Sequence, residues 1–452
     1  MVYSRVIFCQ NPALALSQRA TSARADNTQR NPRYPLSTFF PFIDFFLFSF
    51  HHLTNPFFRN PRIFISIQNP GGYPPPPFFA KSPCSSRLGV IFLLFLTLAS
   101  NSRAQAQQAH LPPSTEGDYV ARNFHFRSGE SLSELRLHYT TFGSPVRDAS
   151  GHVANAVLIL HGTGGTGHQF FAPQFANELF GPGQLLDVTK YFVILPDGIG
   201  HGKSSKPGDG LHARFPQYDY DDMVAAHHAL LTQGLHVDHL RLILGTSMGC
   251  MHSFVWGETY PDFMDALMPL ACLPVQLAGR NRIWRKMLID AIRNDPAWKG
   301  GDYTTEPQQG LRTALDLLLI AGSAPLPMQK TLPTRDDADK YLDKYFAERT
   351  AGLDANDLLY AVNASRNYDP SPNLDKIQAP VMYINSADDF INPPELGIAE
   401  REAKRIKNAE FILIPASEST HGHGTHTWAA IWKQHLADLL QRSAKPKEAA
   451  AH

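Results

Sequence analysis

Leu240-Arg241-Leu242-Ile243-Leu244-Gly245-Thr246-Ser247-Met248-Gly249 is the stretch whose reading decides the fold. Leu240–Leu244 has the length and apolarity of a buried strand, and it runs straight into a Gly-x-Ser-x-Gly turn. The small residues at 245 and 249 let the chain turn sharply from strand to helix. Such a turn lifts the Ser247 hydroxyl clear of a sheet and aims it at a pocket. A bare Gly-x-Ser-x-Gly arises by chance. Here the remaining parts of a serine site follow in the order that goes with such an elbow: nucleophile, then acid, then histidine.

Ala379-Pro380-Val381-Met382-Tyr383-Ile384-Asn385 reads as a second buried strand and ends in Ser386-Ala387-Asp388-Asp389-Phe390-Ile391-Asn392-Pro393. An acid four residues before a proline, on a loop just past a strand, selects Asp389, with Asp388 as the fallback. A lone aspartate there would otherwise be a solvated loop carboxylate or a helix cap. The strand-like Glu410–Pro415 leads into Ser419-Thr420-His421-Gly422-His423-Gly424-Thr425-His426, and a helix pattern begins at Trp428. His423 lies between two glycines, free to present its ring to Ser247, whereas His421 opens the loop and His426 falls in the first helical turn. A histidine cluster can also bind metal. No Cys or carboxylate at ligand spacing accompanies this one, so neither a metal nor a cofactor is expected.

The chemistry needs all three residue types. A serine hydroxyl is a poor nucleophile until a base takes its proton. Imidazole titrates near neutrality, so it can accept that proton and return it. A buried carboxylate orients the ring and stabilises the imidazolium. Two backbone N–H groups should receive the developing oxyanion. One belongs to Met248; the other is assigned to Thr163, with Gly164 as the fallback, in Val157-Leu158-Ile159-Leu160-His161-Gly162-Thr163-Gly164-Gly165-Thr166-Gly167. That loop lacks the Gly-Lys-Ser/Thr ending of a phosphate cradle and the spacing of a dinucleotide fingerprint. The glycine-rich turn Asp197–Ser204 reads as structural.

With these residues in place, the chain resembles the α/β-hydrolase superfamily and, more narrowly, the homoserine O-acetyltransferases, from about residue 120 to 440. The narrower likeness rests on Ser247-Met248-Gly249, on Glu258-Thr259-Tyr260-Pro261, and on Ala291-Ile292-Arg293-Asn294-Asp295-Pro296-Ala297-Trp298. It continues through Gly301-Asp302-Tyr303 to Pro307 and Gly310-Leu311, the family's lid signature. The resemblance implies an α/β-hydrolase fold, a mostly parallel sheet flanked by helices with a helical lid insertion. It also implies ping-pong acyl transfer through Ser247, His423 and Asp389, and pairing of two copies through the lid. The chain departs from the family at Gly424, where the acetyltransferases carry an aspartate that holds the substrate's amino group. It departs again at Cys250, where the family has a second glycine, and in the loop His161-Gly162-Thr163-Gly164, which is closer to ordinary esterases.

The chain has 452 residues and zero formal net charge, unevenly spread. Residues 1–106 hold ten Lys/Arg against two acids, leaving 31 basic and 39 acidic residues, a net of −8, in the remainder. An acidic catalytic portion argues against nucleic acid as partner. Arg87, the apolar Leu88–Ala99 and Ala104-Gln105-Ala106 have the layout of a secretory signal peptide. Its apolar part is too short for stable membrane insertion. The expected organisation is an unstructured or over-read extension over 1–80 and a signal peptide over 81–106. The catalytic domain then spans 107–445, with a lid over about 274–378, and a frayed tail covers 446–452. An exported protein follows. Of the two cysteines left after cleavage, Cys250 and Cys272, buried free thiols are the expectation, although export permits a disulfide.

Expected strands are Leu135–Thr141, Val157–Leu160, Phe192–Pro196, Leu240–Leu244, Ala266–Cys272, Val381–Asn385 and Phe411–Pro415. Between Cys272 and Pro380 only helical patterns occur, over 280–293, 311–321 and 336–348. The leading functional expectation is a serine acyl hydrolase acting on a small ester. The alternative is a homoserine O-acetyltransferase-like O-acyltransferase using acyl-CoA. Export and Gly424 favour the first, the lid signature the second. A binding protein on the same scaffold is disfavoured by the complete set of serine, histidine and aspartate.

Overall fold

The computed structural model describes residues 113–444. The extension, the signal segment and the tail read from the sequence (1–80, 81–106 and 446–452) lie outside the described residues. Short apolar runs alternate with helical patterns along the chain, and together they build one eight-stranded sheet. In chain order the strands are β1 (Thr115–His125), β2 (Ser131–Phe142), β3 (Ala156–Leu160), β4 (Phe192–Pro196), β5 (Leu242–Thr246), β6 (Leu267–Leu270), β7 (Val381–Ser386) and β8 (Ala409–Ile414). The helices are α1 (Pro173–Leu179), α2 (Tyr220–Ala229), α3 (Met248–Thr259), α4 (Gly279–Arg293), α5 (Gln308–Gly322), α6 (Pro325–Thr331), α7 (Arg335–Thr350), α8 (Ala355–Asn363), α9 (Ile398–Ala403) and α10 (Ala429–Arg442). The strand order is β1-β2-β4-β3-β5-β6-β7-β8. β1 and β2 pair antiparallel, as do β2 and β4, and every later pairing is parallel.

The central strands are buried on both faces, as a parallel sheet between helix layers requires. Alternate side chains point to opposite faces. Val157, Ile159, Val193, Leu195, Leu242 and Leu244 pack with Phe175 of α1 and with Trp432, Leu436 and Leu439 of α10. Leu158, Leu160, Ile194 and Ile243 pack with Met223 and Val224 of α2 and with Phe254, Val255 and Trp256 of α3. Burying each such side chain stabilises the fold by about 1.5–3 kcal/mol. Several strands differ from expectation in their bounds: β2 begins four residues earlier and β8 two residues earlier, and β5 and β6 shift as well. β5 starts two residues later and runs into the elbow, with Leu240 left in an isolated bridge to Met264. β6 ends at Leu270, because Ala271 adopts a left-handed φ of 65°. β1 was not read from the sequence: it is an edge strand, mostly exposed and rich in charges, so it lacks an apolar signature.

At the end of β5, Ser247 is held at φ 55° and ψ −108°, a conformation that costs an L-residue energy and persists only where neighbours enforce it. A Cβ on Gly245 would overlap the Gly249 carbonyl oxygen, and one on Gly249 would overlap that of Leu160. The turn is further fixed by Ser247 N donating to Leu270 O (2.8 Å) and Gly249 N donating to His161 O (2.9 Å). Helices α4 to α8 form the lid inserted between β6 and β7. The lid-signature residues act there as pins. Asp295 accepts from Ala297 N (2.9 Å) and Gly310 N (2.8 Å). Asn356 on α8 accepts from Trp298 Nε1 (2.9 Å) and donates to Gly301 O (2.9 Å). Tyr360 of the same helix donates to the carbonyls of Ala213 and Phe215, both at 3.0 Å, tying lid to core.

Cys250 and Cys272 form a disulfide, which corrects the expectation of free thiols. The first turn of α3 and the loop after β6 bring the two Cα atoms to 5.8 Å. Both residues are buried, and they tie the elbow helix to the chain beyond β6.

Gly249→Ala tests how tightly the elbow is packed. Overlap with the Leu160 carbonyl is expected to destabilise the protein by about 1–3 kcal/mol and to remove most activity, read by urea unfolding and initial rates. A variant with wild-type stability and activity would show that the elbow has slack.

Candidate active site

The elbow, the loop after β7 and the loop after β8 converge at one end of the sheet. His423 Nε2 lies 2.8 Å from Ser247 Oγ, and His423 Nδ1 lies 3.0 Å from Asp389 Oδ2. A network in which Nδ1–H donates to the carboxylate leaves Nε2 free to accept the serine proton. Both Asp389 and His423 are buried. Asp389 Oδ1 accepts from Ile391 N (2.8 Å) and Asn392 N (3.1 Å). Burial pushes the Asp389 carboxyl up, but His423 and the Asn392 donors outweigh it and hold the group below its usual value. The aspartate therefore stays charged beside the imidazole.

The other candidates occupy different places. Asp388 accepts from Thr420 Oγ1 (2.8 Å) and Gly422 N (3.1 Å), and also from the Ser386 hydroxyl. It thus ties the acid loop to the histidine loop one residue before His423. His421 stacks on Trp428, with ring centroids 4.0 Å apart. His426 packs edge-on against His423 at 5.2 Å, and burial lowers it to about 3. Asn392 was not singled out in the sequence. Its side chain donates to Asp389 Oδ2 (2.9 Å) and to Ala271 O (3.1 Å), so it locks the acid to the end of β6. Only its place three residues after the aspartate hinted at this.

Gly162 abuts Ser247: a Cβ built on it would sit 3.3 Å from Ser247 Cβ and 3.8 Å from Oγ. The N–H groups of Thr163 and Met248 donate to no acceptor among the described residues. Gly164 has a left-handed φ of 73°. His161 anchors this loop from beneath, donating from Nδ1 to Gly162 O (2.9 Å) and accepting at Nε2 from Gly198 N (2.9 Å). Asp197 holds the turn below by accepting from Gly167 N (2.8 Å) and Lys203 N (2.9 Å). His201, His227 and His252 complete a buried floor with His161. Burial lowers His161 to about 4, His201 to about 3 and His227 to about 4, and it takes His252 well below its ordinary value. The floor is therefore neutral. No group of His, Cys, Asp and Glu among the described residues has the geometry of a metal site.

A largely apolar cavity of about 890 Å³ lies between the acid loop and the lid, lined by residues including Leu273, Leu277, Ile320, Ile391 and Leu396. Small-molecule sites are commonly concave and apolar with a few convergent polar groups. No helix among the described residues is long and apolar enough to cross a membrane.

A family model described as alpha/beta hydrolase fold matches residues 155–421. The homoserine O-acetyltransferase of Pelobacter propionicus is 30% identical over 338 residues, covering 66% of this chain and 87% of that protein. Among solved structures, homoserine O-acetyltransferase from Bacillus anthracis superposes with a TM-score of 0.64 at 20% identity, over 75% of this chain and 100% of its own. The acetyl esterase MekB superposes with a TM-score of 0.63 at 24% identity, over 72% of this chain and 97% of its own. The fold is thus shared about equally with a transferase and an esterase.

Two outcomes follow from this geometry. His423→Ala is expected to cost at least about a thousandfold in turnover, whereas His421→Ala and His426→Ala retain most of it, measured as initial rates. Equal losses at all three would make the loop structural. The neutral floor predicts an acid-sensitive fold. Histidines that protonate near 6.5 when unfolded but only near 3–4 when folded let the unfolded chain bind more protons between those values. Stability should hold above pH 6.5 and fall by about 2 kcal/mol or more between pH 6.5 and 5, read by urea unfolding. A flat profile would mean that the rings are hydrated.

Proposed function

We propose that this chain, which belongs to the alpha/beta-hydrolase fold family and is related within it to homoserine O-acetyltransferases, transfers an acyl group from a thioester donor to a small alcohol through Ser247. The observation that carries the reading is the hydrogen-bonded line from Ser247 Oγ through His423 to Asp389. His423 Nε2 takes the hydroxyl proton as Ser247 Oγ attacks the acyl carbonyl. The oxyanion is received by the N–H groups of Thr163 and Met248, a stabilisation worth about 100- to 1000-fold in rate per donor. Collapse expels the thiolate, which takes the proton from His423 and leaves an acyl-serine. The acceptor alcohol then gives its proton to His423 and attacks the acyl group; the bond from the acyl carbon to Ser247 Oγ breaks, and His423 returns the proton to that oxygen. Asp389 holds the ring in register through both halves.

The sequence alone ranked hydrolysis first. A transferase-named relative aligned over 87% of its own length supports transfer first. The second reading, hydrolysis with water as acceptor, is favoured by Gly424. A Cβ there would meet only His421 Cβ, at the ordinary contact distance of 3.7 Å, so backbone packing does not demand glycine at the position where the family carries its acceptor-holding aspartate. The proposed export segment at 81–106 points the same way, because acyl-CoA is not expected outside the cytoplasm.

The test is turnover of p-nitrophenyl esters and of acetyl-CoA with homoserine by the full chain, Ser247→Ala and Gly424→Asp. Transfer predicts free CoA released only when an alcohol acceptor is present, more of it in Gly424→Asp. Ser247→Ala should fall by up to about 10⁶ in turnover if the three residues act as a unit. Serine-dependent ester hydrolysis indifferent to the CoA pair would select the second reading. Activity surviving in Ser247→Ala would overturn both.

A further inference from the structure

Leu270-Ala271-Cys272, at the exit of β6, is hydrogen-bonded to both halves of the candidate site. Leu270 O accepts from Ser247 N (2.8 Å). Ala271 N donates to Ile384 O of β7 (2.9 Å), and Cys272 O accepts from the buried hydroxyl of Tyr383 on the same strand. Ala271 O accepts from Asn392 Nδ2 (3.1 Å), the nitrogen that also donates to Asp389 Oδ2 (2.9 Å) and lies 3.5 Å from His423 Nδ1. The support of the serine and the support of the acid therefore meet in one short segment. Its middle residue, Ala271, has a left-handed φ of 65°, which costs an L-residue energy and persists only where neighbours enforce it. The next, Cys272, is bonded to Cys250 in the first turn of α3, three residues after Ser247. Both cysteines are buried. Hydrogen bonds can be traded for others as a strained turn relaxes, whereas the S–S bond gives no such exit.

We infer that Cys250 and Cys272 are positioning residues for the line from Ser247 through His423 to Asp389: their disulfide keeps Ala271 in its strained conformation, with its carbonyl on Asn392, so that Asp389 stays against the imidazole. The inference rests on the proposed acyl transfer through Ser247 and adds an oxidative requirement to it. Each cysteine acts through Ala271 and Asn392 rather than on the substrate. Forming the bond removes two electrons and two protons from the two thiols, and a disulfide-class oxidant takes them up and leaves as two thiols. In the dithiol chain Ala271 is free to move to a negative φ, which turns its carbonyl away from Asn392 and releases the anchor of the acid. The chain thus becomes competent by oxidation during folding, and burial then shields the bond from soluble thiols.

The test follows p-nitrophenyl acetate turnover, as burst and steady state, so acylation of Ser247 is read whether water or an alcohol accepts. It compares the oxidised full chain, Cys250→Ala/Cys272→Ala, and that double variant with Ala271→Gly added. The folded fraction of each is read by urea unfolding, and rates are expressed per folded chain. Loss of the disulfide should lower kcat by about ten- to a hundredfold, the scale of a small misplacement at a reacting centre, with KM changed by less than about threefold. Ala271→Gly should restore most of that loss, because glycine holds a positive φ without strain. The wild-type chain refolded as the dithiol, and freed of reductant under nitrogen, should match the double variant. A double variant that folds only with Ala271→Gly, and is then active, supports the inference equally. An unchanged kcat in either disulfide-free form, a loss that Ala271→Gly does not restore, or a triple variant that fails to fold would overturn it and make the disulfide a stability staple alone. Release that persists in Ser247→Ala would instead overturn the proposed function.

Discussion

Ser247 holds a left-handed backbone because two close approaches leave it no alternative. Gly245 lies against the Gly249 carbonyl, and Gly249 lies against the end of β3. Those contacts need no Cβ at either position, and they set the start of α3 relative to β3 and β5. Everything else in the site is registered to that point. The loop from β3 reaches the serine through Gly162, and Ser247 N is tied to Leu270 at the end of β6. The acid loop is tied to the next residue, Ala271, through Asn392. The serine is therefore positioned by backbone packing rather than by its own side chain, whose contact is to the histidine.

Asp389 and His423 are then placed by a second network that runs between their loops. Asn392 fixes the acid from one side, and Asp388 fixes the histidine loop from the other. Adjacent aspartates thus divide the work: Asp389 faces the imidazole, and Asp388 faces the backbone that carries it. The electrostatics around the serine are equally divided. Beneath the loop that bears Gly162 and Thr163 lies a histidine floor that burial keeps neutral. On the lid side, the guanidinium groups of Arg282 and Arg285 lack acidic partners among the described residues.

The elbow and the loops bearing Asp389 and His423 were legible because each is a short apolar run followed by a local turn signal, and such signals survive in one dimension. Helices α4 and α5 of the lid were legible for the same reason, since their apolar faces recur at helical spacing, whereas α6 and α8 were not named from the sequence. The strand at Thr115–His125 was not, because an exposed edge strand alternates between water and neighbour without an apolar run. The disulfide and Asn392 were hidden for another reason. Each has its meaning through a residue distant in sequence: Cys272 and Ala271. A cysteine pair and an asparagine carry no local mark of such partners.

The position of the lid in the chain also sets a timetable. The turn that carries Ser247 is complete at residue 249, but its hydrogen-bonding partners arrive only at 389 and 423, after the whole lid. A ribosome needs roughly ten to forty seconds to cover that distance. For that interval the growing polypeptide carries Ser247 without the imidazole that its hydroxyl meets in the folded chain. Cys272, by contrast, emerges soon after Cys250, so the covalent tie at the elbow can close before the lid exists. The order of elements along the chain thus makes the line from Ser247 through His423 to Asp389 one of the last parts to assemble during synthesis.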